Sequence, residues 1–197
     1  MAVPYYSRGG ITIYHGDCRD ILPSLGVIGA ILTDPPYPSY LQEEYDYNEE
    51  TIRRSLERYG CHQFVFWTPS VPFPLPYSGK RIWDKRVGTN TQFEEIYERN
   101  RGTGYKIHSH YRHNNSLNAS WCGDDSLRHP SQKPIRLMRE LVADLSPGLI
   151  LDPFMGSGTT LRAAKDLGRE AVGIEVEERY CEMAAERMRE EVLEFTD

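Results

Sequence analysis

The 197-residue chain predicts an α/β domain with a mostly parallel central sheet, and three observations carry that prediction. Leu149–Leu151 is a short apolar run that reaches Asp152, turns through Gly156-Ser157-Gly158, continues as a helical stretch from Thr159 to Leu167, and returns as a second apolar run, 170–175, closed by Glu175. That is a strand–loop–helix–strand unit with a glycine-rich first turn and an acid about 20 positions on. Two earlier runs, 10–14 and 29–34, also feed acids, Asp17 and Asp34. In open parallel sheets ligands bind beyond the carboxyl ends of the strands, so Asp17, Asp34, Asp152 and Glu175 are expected to converge on one crevice.

The remaining elements follow in order. Residues 19–25 make a short helical turn with Ile21, Leu22 and Leu25 inward. Residues 38–48 are tyrosine-rich and acidic and read as a loop. Residues 49–59 predict a helix with Ile52, Leu56 and Tyr59 on one face, and His62–Trp67 predicts a buried strand. Four prolines between 69 and 76 rule out regular structure there. Residues 80–85 and 93–98 predict a hairpin joined across Gly88. The stretch 100–130 has no periodicity and is rich in Gly, Asn, Ser, His and Arg; a segment of that length without structure is usually functional or disordered. Residues 135–145 predict a helix with Ile135, Met138, Leu141, Val142 and Leu145 buried. A last helix from 177 to about 195 buries Tyr180, Ala184, Met188 and Val192.

A chain of this length is expected to form one domain, 1–197, with a sizeable core. No apolar run approaches a membrane span, and the N-terminus lacks the apolar stretch of a signal peptide. Cys18, Cys61, Cys122 and Cys181 are widely spaced, which suggests free thiols in a reducing cytoplasm and no metal site. The net charge of −6 disfavours nucleic acid, but residues 99–139 carry eight Arg or Lys against two acids, Asp124 and Asp125. One basic segment between acidic flanks can hold DNA on one face, or can simply be a solvated loop.

The glycine turn reads as a nucleoside-cofactor site. Gly156 and Gly158 let the backbone approach a ligand, and Glu175 is placed to accept from ribose hydroxyls. There is no Gly-x-Gly-x-x-Gly and no lysine after the loop for a triphosphate. An acid opening the loop, Asp152, repels phosphate and suits a cation. S-adenosylmethionine fits: ribose, adenine, sulfonium and ammonium, with no phosphate. An ordinary glycine turn is the plainer reading of this stretch alone.

Three motifs then occur in one order: Asp34-Pro35-Pro36-Tyr37, His129-Pro-Ser-Gln-Lys133-Pro134, and Asp152-Pro153-Phe154-Met-Gly156-Ser157-Gly158-Thr159-Thr160. With them the chain, from about Thr12 to Met188, resembles the DNA amino-methyltransferases of the N6-adenine/N4-cytosine type. The order is the permuted one, in which the catalytic motif precedes the cofactor loop. The resemblance implies a Rossmann-like, circularly permuted methyltransferase fold with its C-terminal-type hairpin. It implies S-adenosyl-L-methionine as methyl donor and DNA as partner, in a bacterial, phage or archaeal cytoplasm. Members often dimerise, so a homodimer is an expected partner.

Asp34 and the Pro35 carbonyl are two adjacent acceptors that can draw the protons of an exocyclic amino group out of conjugation with its ring. Successive prolines fix that backbone, and Tyr37 offers a stacking face for an extruded base. Asp34, Pro35, Pro36 and Tyr37 are therefore the catalytic candidates. The cofactor candidates are Asp17, Asp34, Lys133, Asp152, Pro153, Phe154, Gly156, Ser157, Gly158, Thr159, Thr160 and Glu175. The resemblance assigns Lys133 to the methionine end of the cofactor and Asp17 to its adenine. A bland role stands beside several: Lys133 as a solvated helix-start lysine, Phe154 as core, and Ser157, Thr159 and Thr160 as helix caps. Residues 100–128 match the family's target-recognition segment, here short, with Arg99, Arg101, Lys106, Arg112 and Arg128 as DNA contacts. Asp at the first motif position favours adenine over cytosine. A cofactor-binding subunit that needs a partner for DNA recognition is the rival from another class. Protein-glutamine and RNA methyltransferases share a similar Pro-Pro-Tyr but place the cofactor loop first.

Overall fold

The structure is a computed structural model that describes residues 2–36, 49–85, 93–102, 104–110 and 132–189. Its strands are β1 (Tyr6–Arg8), β2 (Ile11–His15), β3 (Ala30–Thr33), β4 (His62–Trp67), β5 (Gly79–Asp84), β6 (Phe93–Arg99), β7 (Tyr105–Ser109), β8 (Ile150–Asp152) and β9 (Ala171–Glu175). Its helices are α1 (Cys18–Ile21), α2 (Glu49–Glu57), α3 (Ile135–Asp144), α4 (Thr159–Asp166) and α5 (Glu178–Arg189).

Among the described residues all nine strands form one sheet, in the order β1-β2-β9-β8-β3-β4-β6-β5-β7. The central run from β2 to β4 is parallel throughout. These strands are apolar along their length because both faces are covered. Leu137, Leu141, Leu161 and Ala184 of α3, α4 and α5 pack with Ile13, Leu32, Phe64 and Phe66 on one side. Ile52 and Leu56 of α2 pack with Ile31, Val65, Trp67 and Ile174 on the other. Each fully buried aromatic or aliphatic side chain contributes about 1.5–3 kcal/mol.

β8 connects through α4 to β9 on one side of it, whereas β3 connects through α2 to β4 on the other. The boundary between β8 and β3 is therefore the point where the winding reverses, and a crevice opens there at the strands' carboxyl ends. His15 pairs with Glu175 and Asp152 with Gly173 in parallel register, so the acid-bearing tips lie along one edge.

Beyond β4 the sheet turns antiparallel. β6 pairs with β4 and β5 with β6, as the predicted hairpin requires, though its turn lies outside the described residues. Two strands depart from the sequence reading. β1 is a three-residue antiparallel edge, too short to show a pattern. β7 lies inside the stretch expected to lack structure; it adds to β5 in parallel. Its pattern is hidden because an edge strand needs backbone partners more than an apolar face: Tyr105 and Ile107 are exposed and only His108 is buried. Glu140 of α3 fastens β7, with His108 Nδ1 at 2.7 Å and His110 Nε2 at 3.0 Å from its carboxylate. Nδ1 of His108 donates to the Glu140 carboxylate, the other ring nitrogen, Nε2, is buried without a hydrogen-bond partner among the described residues, and burial holds the imidazole below its ordinary value.

In α3 the buried stripe is Leu137, Met138, Leu141 and Val142; Ile135 is only partly buried. Val192 and the predicted end of the last helix lie outside the described residues. Among the described residues no helix is long and apolar enough to cross a membrane. Cys18, Cys61 and Cys181 are free thiols, and Cys122 lies outside the described residues.

Candidate active site

The crevice is built by chain reversals at strand tips. Asp34, directly after β3, Lys133, directly before α3, and Asp152, the last residue of β8, line it together with Phe154, Gly156 and Ser157. Asp152 is fully buried. Thr33 Oγ1 donates to its Oδ1 at 2.7 Å, and the Phe154 N–H donates to the same oxygen at 3.2 Å. Burial pushes its carboxyl up to about 6 despite hydrogen bonds from Thr160, Thr33 and the Phe154 amide that oppose the shift. An acid held close to neutrality with little water around it gains most from the arrival of a cation.

Glu175 closes the other side of the loop. Gly156 N–H donates to Oε2 and Glu177 N–H to Oε1, each at 2.9 Å. Burial raises its carboxyl above the usual carboxylate range. The carboxylate thus ties the glycine turn to the start of α5, and the Gly156 N–H is already spent on it. That arrangement is unlike a phosphate cradle, in which loop N–H groups point at the ligand.

The two glycines differ in purpose. Gly156 has φ +52° and lines the crevice. Gly158, expected to open the backbone to a ligand, instead serves helix packing: a Cβ there would lie 2.7 Å from Ala184 Cβ on α5. It sits at φ +80° as the N-cap of α4 with no side-chain cap. Thr159 and Thr160 are accordingly not caps. The Thr159 hydroxyl accepts from Arg187 Nη1 at 3.1 Å, and Thr160 bonds Asp152. Ser157 and Pro153 are buried, while Phe154 both walls the crevice and packs on the α2-side core.

Lys133 is buried, not a solvated helix-start lysine. Its ammonium donates to Asp34 Oδ2 and lies 3.4 Å from Glu94 Oε2 on β6. Lys85, beyond β5, holds the other Glu94 oxygen at 2.7 Å. Burial alone would lower Lys133, but Asp34 and Glu94 outweigh it and hold the ammonium above its ordinary value. Burial would raise Glu94, and Lys133 and Lys85 together bring it below the carboxylate range. Sequence reading missed Thr33, Glu94 and Lys85: Thr33 stands beside the Asp34 motif but reads as the end of its strand, and Glu94 and Lys85 are ordinary polar residues of a strand or strand end with no motif around them.

Asp17 sits at the tip of β2 as predicted, but it caps α1 by accepting from Arg19 N at 2.8 Å and pairs with the Arg19 guanidinium. Pro35 and Pro36 follow Asp34 with Pro35 buried; Tyr37 lies outside the described residues. Arg99, expected on the DNA face, is turned inward: its guanidinium donates to Pro76 O at 2.9 Å and Gln63 Oε1 at 2.6 Å. Its place on the sheet, not its charge, decides its role. Arg101 and Lys106 stay at the surface, and Arg112 and Arg128 lie outside the described residues.

An α/β sheet with its crevice at the winding reversal, walled by acids and closed to phosphate, defines a nucleoside-cofactor enzyme of the methyltransferase kind. Residues 66–186 match the DNA methylase family of N6/N4 methyltransferases, and the chain belongs to that family. It is 26% identical to the type II methyltransferase M.ScaI of Streptomyces caespitosus across 97% of this chain and 85% of that protein. A shorter match, 44% identical over 36% of this chain and 26% of the relative, is to the type II methyltransferase M2.DpnII of Streptococcus pneumoniae. Among solved structures, the cytosine-N4-specific PvuII DNA methyltransferase superposes with a TM-score of 0.73 at 15% identity, covering 95% of this chain and 89% of that one. The M1.HpyAVI–SAM complex gives 0.60 at 20% identity over 91% and 100%. The chain is a DNA amino-methyltransferase of the N6/N4 type, and its methyl donor is S-adenosyl-L-methionine. The crevice is compatible with a cationic, phosphate-free donor, since the buried carboxyl of Asp152 lines it and the Gly156 N–H of the loop is turned to Glu175.

Proposed function

We propose that the protein methylates the exocyclic N6 of adenine in DNA, with Asp34 as the catalytic acceptor. The observation that carries the reading is Asp34 at the winding reversal, beside the cofactor loop and followed by the rigid pair Pro35-Pro36. The amino nitrogen of adenine is a poor nucleophile because its lone pair is shared with the ring. Asp34 and the Pro35 carbonyl accept its two protons in hydrogen bonds and so free the lone pair. The base must leave the duplex to reach them, and Tyr37 supplies a face for it to stack on. The bound cofactor supplies the methyl group on a sulfonium. Asp152, Phe154, Gly156, Ser157 and Glu175 hold it, with Asp152 and Glu175 toward its polar groups. Lys133 keeps Asp34 in place as a carboxylate. Positioning and fixed charges supply most of the acceleration.

Asp rather than Ser at position 34 supports adenine over cytosine. Residues 100–128 serve as the target-recognition segment, with β7 as its anchored part and Arg101, Lys106, Arg112 and Arg128 as phosphate contacts. The test is direct. Unmethylated plasmid DNA is incubated with protein and cofactor, digested to nucleosides and analysed by mass spectrometry. N6-methyladenine is the expected product; N4-methylcytosine, or no modified nucleoside, would overturn the assignment.

A further inference from the structure

Glu94 has no place in any motif, yet it occupies the centre of a buried chain of alternating charge: Lys85, Glu94, Lys133, Asp34. The Lys85, Glu94 and Lys133 side chains are 4%, 15% and 8% exposed. The topology brings them together. β6 runs antiparallel beside β4, with Glu95 opposite Trp67 at the carboxyl end of β4, so Glu94 arrives at the same edge as Asp34 after β3.

Asp34, at the crevice end of the chain, is 25% exposed, and three charges shielded behind it are a poor device for stability. Well-packed apolar side chains in the same space would do as well or better. The Lys133 ammonium also sits 5.0 Å over the Phe66 ring, so it is lodged among a carboxylate on each side and an aromatic face. The Glu94 contact is an ion pair at 3.4 Å without a hydrogen bond among the described residues, and it gives the ammonium a second anchor that a lysine bound to Asp34 alone, on its flexible four-carbon stem, would lack.

We propose that Glu94 is a positioning residue for methyl transfer, tethering Lys133 so that Lys133 in turn fixes the carboxylate of Asp34 toward the amino group of the target base. This rests on Asp34 being the catalytic acceptor. The groups facing Lys133 are Asp34 after β3 and Glu94 on β6; Lys85 after β5 stands behind Glu94, and Asp152 on β8 lies beyond Asp34. Glu94 and Lys85 therefore act on the Lys133 proton with opposite sign. Removing the Glu94 charge leaves burial less opposed, and Lys133 loses its proton at lower pH. Removing the Lys85 charge strengthens the hold of Glu94, and Lys133 keeps its proton to higher pH.

The experiment compares wild type with Glu94→Gln, Glu94→Asp and Lys85→Gln by two readouts. The first is the titration of the Lys133 ammonium in the unliganded protein, followed by 15N-edited NMR. The second is the pH profile of kcat for methyl transfer to unmethylated plasmid DNA. Glu94→Gln is expected to lower kcat at least tenfold, with KM for the methyl donor changed less than threefold, and to move the alkaline limb to lower pH. Glu94→Asp recovers part of the rate, and Lys85→Gln moves the limb the other way. If Glu94→Gln fails to fold, Lys85→Gln still decides, because a merely structural role shifts neither limb nor titration. Wild-type kcat in Glu94→Gln, or a lower kcat with an unmoved pH profile, overturns the proposal. Turnover surviving in Asp34→Ala would instead sink the catalytic reading beneath it.

Discussion

Under the parallel strands β2, β9, β8, β3 and β4 the packing is chiefly apolar, with Ile13, Leu32, Phe64, Phe66 and Ile150 against helix side chains. Across β6, β5 and β7 the apolar side chains Trp83, Ile96 and Tyr97 share the interior with a dense set of paired charges. Glu98 joins His62, at 3.0 Å, to Arg81, at 3.3 Å, and Arg81 continues to Asp144; Arg99 reaches Gln63; Glu140 holds His108 and His110. The candidate catalytic site lies on the seam, with Asp34 and Asp152 from the apolar half and Glu94 from the charged one. Non-directional burial makes a rigid frame, whereas paired charges fix orientation at a cost in desolvation. A site that must aim one carboxylate draws on both.

Truncating each half tests this contrast most strongly. Leu32→Ala, at a fully buried side chain of β3, should cost about 2–5 kcal/mol through cavity formation, with no change in the pH dependence of stability. Glu98→Ala should cost about 3 kcal/mol or more, because Arg81 and His62 lose a buried partner. Its penalty should vary with pH where that of Leu32→Ala does not. Chemical denaturation across pH 5–8 separates the two.

Acid should open the charged half first. His62 accepts from Ser146 N–H through Nδ1 and faces Glu98 through Nε2, so it is neutral, and burial holds it below its ordinary value. Burial does the same to His108. A depressed imidazole contributes stability above its unfolded value, near pH 6.5, and loses it as pH falls through the folded value. Asp152 runs the other way: its penalty on folding, complete above about pH 6, is relieved progressively as pH falls toward the unfolded carboxyl value. Amide exchange at pH 5 should therefore speed up in β5–β7 relative to β8 and β9.

Asp152→Asn removes a buried charge that opposes folding above about pH 6. It should stabilise the protein by about 2–3 kcal/mol at pH 8, with a gain that shrinks as pH falls. Binding of the methyl donor should weaken at the same time, as calorimetry can show. The smallest effects belong to the surface. Lys106→Ala and Arg101→Ala should each reduce the salt dependence of DNA binding by about one unit of slope while leaving Tm in place. Arg99→Ala should lower Tm and leave the slope alone.

The same contrast explains what could be read from the chain. Apolar runs ending in Asp34, Asp152 and Glu175 announce the parallel strands and their common edge, because burial on both faces writes itself into composition. Glu94, Glu98 and Arg99 look like surface charges, since a sequence does not say which charges meet. The segment 105–109 hides a strand held by backbone pairing to β5 and by polar side chains, with no apolar alternation to announce it, and Gly158 hides a helix contact behind the appearance of a ligand loop.

The most direct test of the central claim is single-turnover methyl transfer by Asp34→Ala beside calorimetric binding of the methyl donor to the same sample. A rate reduced by at least 1,000-fold, on the order of 4 kcal/mol of lost transition-state stabilisation, is expected, with the donor still bound. A rate within tenfold of wild type would contradict it and move the chemistry away from Asp34.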